Sequence, residues 1–269
     1  MISTGIQYNV KLQRMVRAIK RDIDATFLPL IKLYAPDYTM DGATVTRDGW
    51  VEAIAAALQL LVTRWENHPG IAAIAGDFVR TAFTSADRRA MRSMGIDVFG
   101  SSTEMDEYLR AAMYQNVKLI KSIPAQYLEQ VGNILMTNMR IGNRPGYIVK
   151  ELQQQFGVTQ RRAKFIARDQ SAKIAGEVSK KRQIAAGYSY FVWVDSHDQR
   201  VRHSHRDIAN RVTAYGKGVY RWDDLPVNER GERIQPGSDY NCRCVAKVIS
   251  NRNVERNQER GLTDPNVLR

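Results

Sequence analysis

Cysteine is nearly absent from this 269-residue chain: Cys242 and Cys244 are the only two, separated by Arg243. A disulfide between them would need strained geometry, because the two side chains are tethered too closely in sequence. A disulfide framework is therefore excluded, and a reducing cytoplasm is the expected site of synthesis. Long apolar runs are also lacking. The longest, Val51 to Val62, is interrupted by Glu52 and Gln59 and is too short to span a bilayer. Met1–Arg21 lacks the basic–apolar–small pattern of a secretory signal. The expectation is a soluble protein. No Gly-x4-Gly-Lys-Ser/Thr loop, Gly-x-Gly-x2-Gly turn, Gly-x-Ser-x-Gly elbow or His-Glu-x-x-His pair occurs. Those absences exclude the familiar nucleotide-driven motors, dinucleotide enzymes, serine hydrolases and zinc proteases.

Acidic residues are in deficit. Lys and Arg number 40 against 28 Asp and Glu, which leaves a net charge of +12 and a pI near 9.8. A basic surface attracts phosphate polyanions, so nucleic acid, an anionic membrane surface or an acidic protein fits this balance. The hydrophobic content of 43% is too high for end-to-end disorder, and the length suits one large domain or two smaller ones.

Up to about residue 186 the pattern is helical. GWVEAIAAALQLLVTRW, at 49–65, is rich in Ala and Leu with no Pro. Met113, Val117, Ile120, Tyr127, Val131, Leu135 and Met139 recur at mostly three- and four-residue steps, which predicts a rod of roughly 50 Å over 106–140. Pro124 predicts a kink or restart within it. Ile141–Gly146 is a breaker. A short helix at Tyr147–Phe156, closed by Gly157, is expected next, with Thr159 capping a further helix that ends near Gly187. That helix carries Ala163, Ile166, Gln170, Ile174 and Val178 on one face and a run of Arg and Lys on the other. Beyond it, Tyr188–Val194 and Val219–Trp222 read as strands flanking a polar loop, and Cys242–Ile249 as a closing strand. The fold class is mainly α with a C-terminal α+β module: long N-terminal helices, then a small antiparallel sheet packed on a basic helix. The expected divisions are a helical region at 1–140, the module at 141–250 and a polar, flexible tail at 251–269.

Several groups are candidates for chemistry. His197, His203 and His205 lie among Asp195, Asp198 and Asp207. Such a cluster can bind a metal or activate water, so a metal-dependent nuclease using His203, His205 and Asp198 is the enzymatic alternative; paired charges in a hydrated loop are the structural one. Cys242 and Cys244 supply two thiolates to zinc with His205 as third ligand, or else they are buried as small hydrophobes. Arg161, Arg162, Lys164, Lys180, Lys181 and Arg182 are candidate contacts to phosphates or to an acidic protein surface. A free basic protein coating DNA is a further alternative.

One ordered series of motifs narrows these readings. Phe165-Ile166-Ala167-Arg168-Asp169-Gln170 is followed by Ala186-Gly187, by Trp193 in a strand, by Asp198-x-Arg200-Val201-Arg202-x-x-His205, and by Pro236-Gly237-Ser238-Asp239-Tyr240-Asn241-Cys242-Arg243-Cys244. This series resembles the phage Mu F-like family of minor head proteins, also called head morphogenesis proteins. With the upstream helical segment from about 106, the likeness covers over half the chain. The resemblance implies a virion protein of a tailed DNA phage, in the head interior near the portal, without catalytic residues. Its expected partners are the portal protein, packaged double-stranded DNA, and a scaffold or major capsid protein, with no membrane. Packaging, retention or ejection of DNA would be its task.

Within the resemblance, Arg168, Trp193, Asp198, Arg202, His205, Cys242, Arg243 and Cys244 are fold-defining. Many relatives carry Cys-x-x-Cys where this chain has Arg202 and His205, and His where it has Asp239. Those versions look like zinc sites. Here an ion pair between Arg202 and Asp239 is expected to close the fold, and no cofactor is required, zinc being the one candidate. The chain ends twenty-five residues after Cys244, so no appended toxin or enzyme domain is expected.

Overall fold

The computed structural model describes residues 4–35, 37–38, 44–45, 48–96 and 103–264. It contains α1 (Thr4–Leu33), β1 (Asp37–Tyr38), β2 (Thr44–Val45), α2 (Trp50–Glu66), α3 (Gly70–Met94), α4 (Thr103–Arg140), α5 (Pro145–Ala185), β3 (Tyr190–Val194), α6 (His203–Asn210), β4 (Val212–Thr213), β5 (Gly216–Lys217), β6 (Val219–Arg221), β7 (Val245–Ile249) and α7 (Asn251–Glu259). The expected class, mainly helical with a small antiparallel sheet near the C-terminus, is what the chain adopts. The chain forms two compact units, 1–77 with 113–167 and 78–112 with 168–269. Their borders run through α3, α4 and α5. The expected border near residue 140 coincides instead with the turn between α4 and α5.

The first unit is helix on helix. In α1 the buried residues Tyr8, Leu12, Met15, Val16, Ile19, Ile23, Phe27 and Ile31 fall on one stripe. Each such aliphatic or aromatic side chain contributes about 1.5–3 kcal/mol on leaving water. The same unit buries Ile54, Leu61 and Trp65 of α2, and Ile120, Ile123, Tyr127, Val131 and Leu135 of α4. The Trp65 indole N–H donates to Asp22 of α1 at 3.0 Å.

Neither a helix restart at Pro124 nor a helix stop at Gly157 occurs. α4 runs unbroken through Pro124, which lies buried between Ile123 and Tyr127, so packing offsets the missing backbone hydrogen bond. α5 is one 41-residue helix through Gly157. Thr159 does not cap; buried inside the helix, its hydroxyl donates to the Gln155 carbonyl at 3.0 Å. The apolar stripe Ile148, Leu152, Ala163, Ile166 continues across the glycine and is worth more than the roughly 1 kcal/mol that Gly costs there.

In the second unit the sheet order is β6-β3-β7, all antiparallel, with Phe191 opposite Tyr220 on one side and Val248 on the other. β3 alternates as a half-buried strand should, turning Phe191 and Trp193 inward. Phe191, Trp193, Ile208, Tyr220, Trp222, Ile234, Cys242 and Cys244 form its core, with the Phe191 and Trp222 rings stacked 4.0 Å apart. α5 meets the sheet through Gln183, whose amide donates to the Ala246 carbonyl at 3.1 Å.

Three further expectations change. The closing strand starts at Val245, so the cysteines precede it in irregular backbone. The expected polar loop holds α6 and the β4–β5 hairpin. The expected flexible tail contains α7, capped by Ser250 and tied down by Asn257 and Gln258, which donate to the Tyr215 and Ala214 carbonyls at 3.1 Å each. Residues 265–269 of that tail, and residues 36, 39–43, 46–47 and 97–102 of the expected helical region, lie outside the described residues.

Candidate functional site

α6 is a single short helix whose inward residues are His205 and Ile208. That spacing presents the His205 ring to the segment ahead of β7. Its Nδ1 lies 3.6 Å from Cys242 Sγ and 3.5 Å from Cys244 Sγ. Its Nε2 lies 3.2 Å from Asp239 Oδ2. Trp193 closes one side, edge-on to the imidazole at 5.4 Å and 81°. All four partners of His205 are buried, and both cysteines are free thiols.

Asp239 is a buried carboxylate with two guanidinium partners. Arg230 donates to Oδ1 at 3.0 Å, and Arg202 stands 3.6 Å from Oδ2 while donating to the Tyr240 carbonyl at 2.6 Å. The pairing of Arg202 with Asp239 is thus present, joined by an Arg230 that sequence reasoning did not single out. Burial opposes ionisation of Asp239, but the Tyr240 N–H and the two guanidiniums outweigh it and hold its pKa below the usual value. The Cys244 hydrogen bond, with help from His205, draws the Cys242 thiol down to about 4, while burial resists. Cys244 moves the opposite way, raised by its bond to Cys242 and by burial. His205 is raised: burial pulls it down, but Cys242 and Asp239 overcome that. The cluster therefore favours a sulfur-centred negative charge facing an imidazole.

The residues proposed for a nuclease do not share one centre. His203 is exposed and pairs with Asp207 at 2.8 Å on its own helix. Asp198 is engaged through both oxygens by the Arg243 guanidinium, which holds its carboxyl down at about 2. Of the three, only His205 faces the cysteines. Arg243 and Asp198 thus pin the Cys-Arg-Cys segment to the loop before α6.

The six basic candidates separate by environment. Arg182 is buried and donates to Asp87 at 2.5 Å, Lys181 pairs with Glu104, and Arg162 donates to Ser122 Oγ at 2.7 Å. Lys180 is half-buried. Arg161 and Lys164 are exposed, as is Arg168. A basic row that sequence reasoning missed lies on α1, where Arg14, Arg17 and Arg21 are exposed at i, i+3 and i+7. α1 meets α5 at this level: Gln13 donates to the Gln160 carbonyl at 2.9 Å, and Lys20 lies 5.7 Å from the Phe156 ring centre. Arg14 and Arg161 each adjoin that contact. The signal was the spacing of arginines opposite the apolar stripe of α1.

Two other residues, present in the motif series but not among the expected site residues, also hold the site. Asp169 of α5 is buried, accepts the Asn241 N–H at 2.8 Å and pairs with Lys173 at 2.8 Å. Asn241 takes a positive φ of 53°. Together they set the turn that delivers Cys242.

A protein of Haemophilus influenzae described as "Uncharacterized protein" is 26% identical over 260 residues, covering 93% of this chain. The chain spans 54% of that relative's length. No solved structure matches. Residues 129–247, from the second half of α4 to the middle of β7, match the family model described as "Phage Mu protein F like protein". That segment contains every fold-defining motif residue named above, and over it the chain is similar to the phage Mu F-like head morphogenesis proteins.

Proposed function

We propose that the protein is a minor component of a tailed-phage head, bound to the portal in the head interior and contacting packaged DNA, with no catalytic role. The observation that carries the DNA part is the unneutralised basic surface of the first unit: Arg14, Arg17 and Arg21 on α1, with Arg161 and Lys164 on α5, all exposed. Among the described residues none of these five has an ion-pair or hydrogen-bond partner. Exposed arginines along two touching helices suit the phosphate backbone, whose recognition is independent of sequence. Lys181 and Arg182, by contrast, are engaged within the fold by Glu104 and Asp87. The head family supports the virion setting and an involvement with other head components. Scaffold and major capsid proteins are the remaining partners of this reading.

Two measurements test it. The portal protein of the same phage should be captured as a defined complex after nuclease treatment and in salt high enough to suppress charge-only contacts. Affinity for duplex DNA should fall steeply with salt. The combined variant Arg14→Ala, Arg17→Ala, Arg21→Ala should reduce that log–log slope by about 2–3, at roughly 0.9 for each phosphate no longer neutralised. An unchanged slope retires the α1 interface, and absence of a portal complex retires the portal assignment.

A further inference from the structure

His205 stands between two sulfurs and a carboxylate in a way that hydrogen bonding alone explains poorly. Its Nδ1 is almost equidistant from Cys242 Sγ, at 3.6 Å, and Cys244 Sγ, at 3.5 Å. Whether Nδ1 accepts from a thiol or donates to a thiolate, it has one in-plane direction for a hydrogen bond and serves one sulfur well, not two. Two donors at one distance from a third atom is instead the geometry of ligands around a common centre. With Zn–S near 2.3 Å and Zn–N near 2.0–2.1 Å at tetrahedral angles, the N···S separation is about 3.6 Å. The three donor atoms lie within 4.8 Å of one another, and all three residues are buried.

The surroundings fit a metal ligand set. Nε2 faces Asp239, whose carboxylate is fixed by Arg230 and Arg202. A carboxylate that takes the distal N–H of a ligating histidine selects the tautomer with its lone pair toward the metal and holds the ring in orientation. The Cys244 backbone N–H points at Cys242 Sγ at 3.4 Å, a bond that favours a thiolate. The Trp193 indole nitrogen is buried with no oxygen or nitrogen partner. Charge also balances: two thiolates neutralise a divalent ion, and Asp239 is offset by its arginines, so a buried site carries no uncompensated charge.

We propose that Cys242 Sγ, Cys244 Sγ and His205 Nδ1 bind one zinc ion, with Asp239 as the positioning residue behind the histidine. Arg202 and Asp239 supply no ligand, so three protein donors leave one tetrahedral position for water or an exogenous donor. The ion links α6 to the segment entering β7 and so closes the second unit. This assignment does not depend on portal or DNA binding.

The test uses the full-length protein, purified under thiol reductant. Metal analysis should return one zinc per chain. Replacement by cobalt(II) should give a near-ultraviolet thiolate-to-cobalt charge-transfer band and intense visible bands of a tetrahedral centre. In competition with a chromophoric chelator, Asp239→Asn should bind zinc about 10–100-fold more weakly while keeping the thiolate band. Cys242→Ser with Cys244→Ser should lose that band. Folded wild-type protein, checked by circular dichroism, that gives no thiolate-to-cobalt band overturns the site. Zinc affinity unchanged in the double serine variant overturns the ligand assignment, and affinity unchanged in Asp239→Asn overturns the positioning role.

Discussion

Gly176 in α5 and Gly237 in the loop ahead of Cys242 meet backbone to backbone. A Cβ on Gly237 would lie 3.4 Å from the Gly176 Cα and 2.6 Å from the Ala172 carbonyl oxygen, and one on Gly176 would overlap the Pro236 carbonyl oxygen. Gly237 also sits at φ +90°, which side-chain-bearing residues rarely adopt. This contact seats the loop that carries Asp239, Asn241 and the first cysteine against the helix. Two glycines distant in sequence thus position the cluster around His205.

Gly176→Ala should therefore be destabilising although alanine is the better helix former. The methyl group meets backbone, which has no rotamer by which to retreat, so the loop must move away from α5. A destabilisation of about 1–3 kcal/mol is expected from such overpacking. Gly146→Ala, in the first turn of α5 with nothing within 4 Å of the added carbon, should be neutral or slightly stabilising. Urea denaturation of both variants checks the pair. Equal stability of Gly176→Ala and wild type would remove the close approach from the account.

Arg182 and Arg161 belong to the same basic helix and should behave oppositely. Arg182 is 4% exposed, and its partner Asp87 is largely covered, so truncation strands a carboxylate. Arg182→Ala should cost about 2–4 kcal/mol, somewhat below a fully enclosed pair because Asp87 keeps some access to water. Arg161→Ala should leave stability within about 0.5 kcal/mol and lower DNA affinity. Thermal melts and a salt titration of DNA binding on each variant separate the two roles. A DNA defect in Arg182→Ala without any fall in stability would reverse the assignment.

Acid stability should report the clamp between Asp198 and Arg243. The Arg243 guanidinium holds the Asp198 carboxyl at about 2 in the folded chain, against an ordinary value near 3.8. A depressed folded value means the carboxylate contributes its stabilisation in full above the unfolded value. That contribution is lost as pH falls from about 4 through 2. Asp198→Asn should lower stability at neutral pH and flatten the dependence over this window. Denaturation midpoints of both proteins between pH 2 and 5 would show it. Parallel curves would mean that the guanidinium does not discriminate between the charged and neutral side chain.

Much of the fold was legible because periodicity is local. The stripe of α1, the apolar steps of α4 and the alternation of β3 follow from side-chain spacing alone. The convergence of His205 with Cys242 and Cys244 was also legible, since motif order brought them into one expected site. What escaped was decided by distant partners. Nothing in Lys180-Lys181-Arg182 reveals that one of the three meets Asp87 across ninety-five residues. Asp169 looked like one member of a motif string and proved to be the buried acceptor that sets the turn at Asn241. α6 was hidden because eight mostly polar residues with two inward side chains make too weak a pattern to stand out from a loop.

Gly157 carries the sharpest contrast between local and tertiary control. By itself it reads as the end of a helix, yet α5 passes through it without a positive φ. Its backbone is therefore already one that alanine adopts. A Cβ there would meet only Arg161 Nη1, at 3.7 Å, which is ordinary contact with a flexible side chain. Alanine would also reduce the freedom of the unfolded chain. Gly157→Ala should thus stabilise the protein by about 0.5–1 kcal/mol, raising the denaturation midpoint without changing its slope. A destabilised variant would mean that the helix bends at this position in solution, and the stop expected from the sequence would then be a hinge rather than a residue overruled by packing.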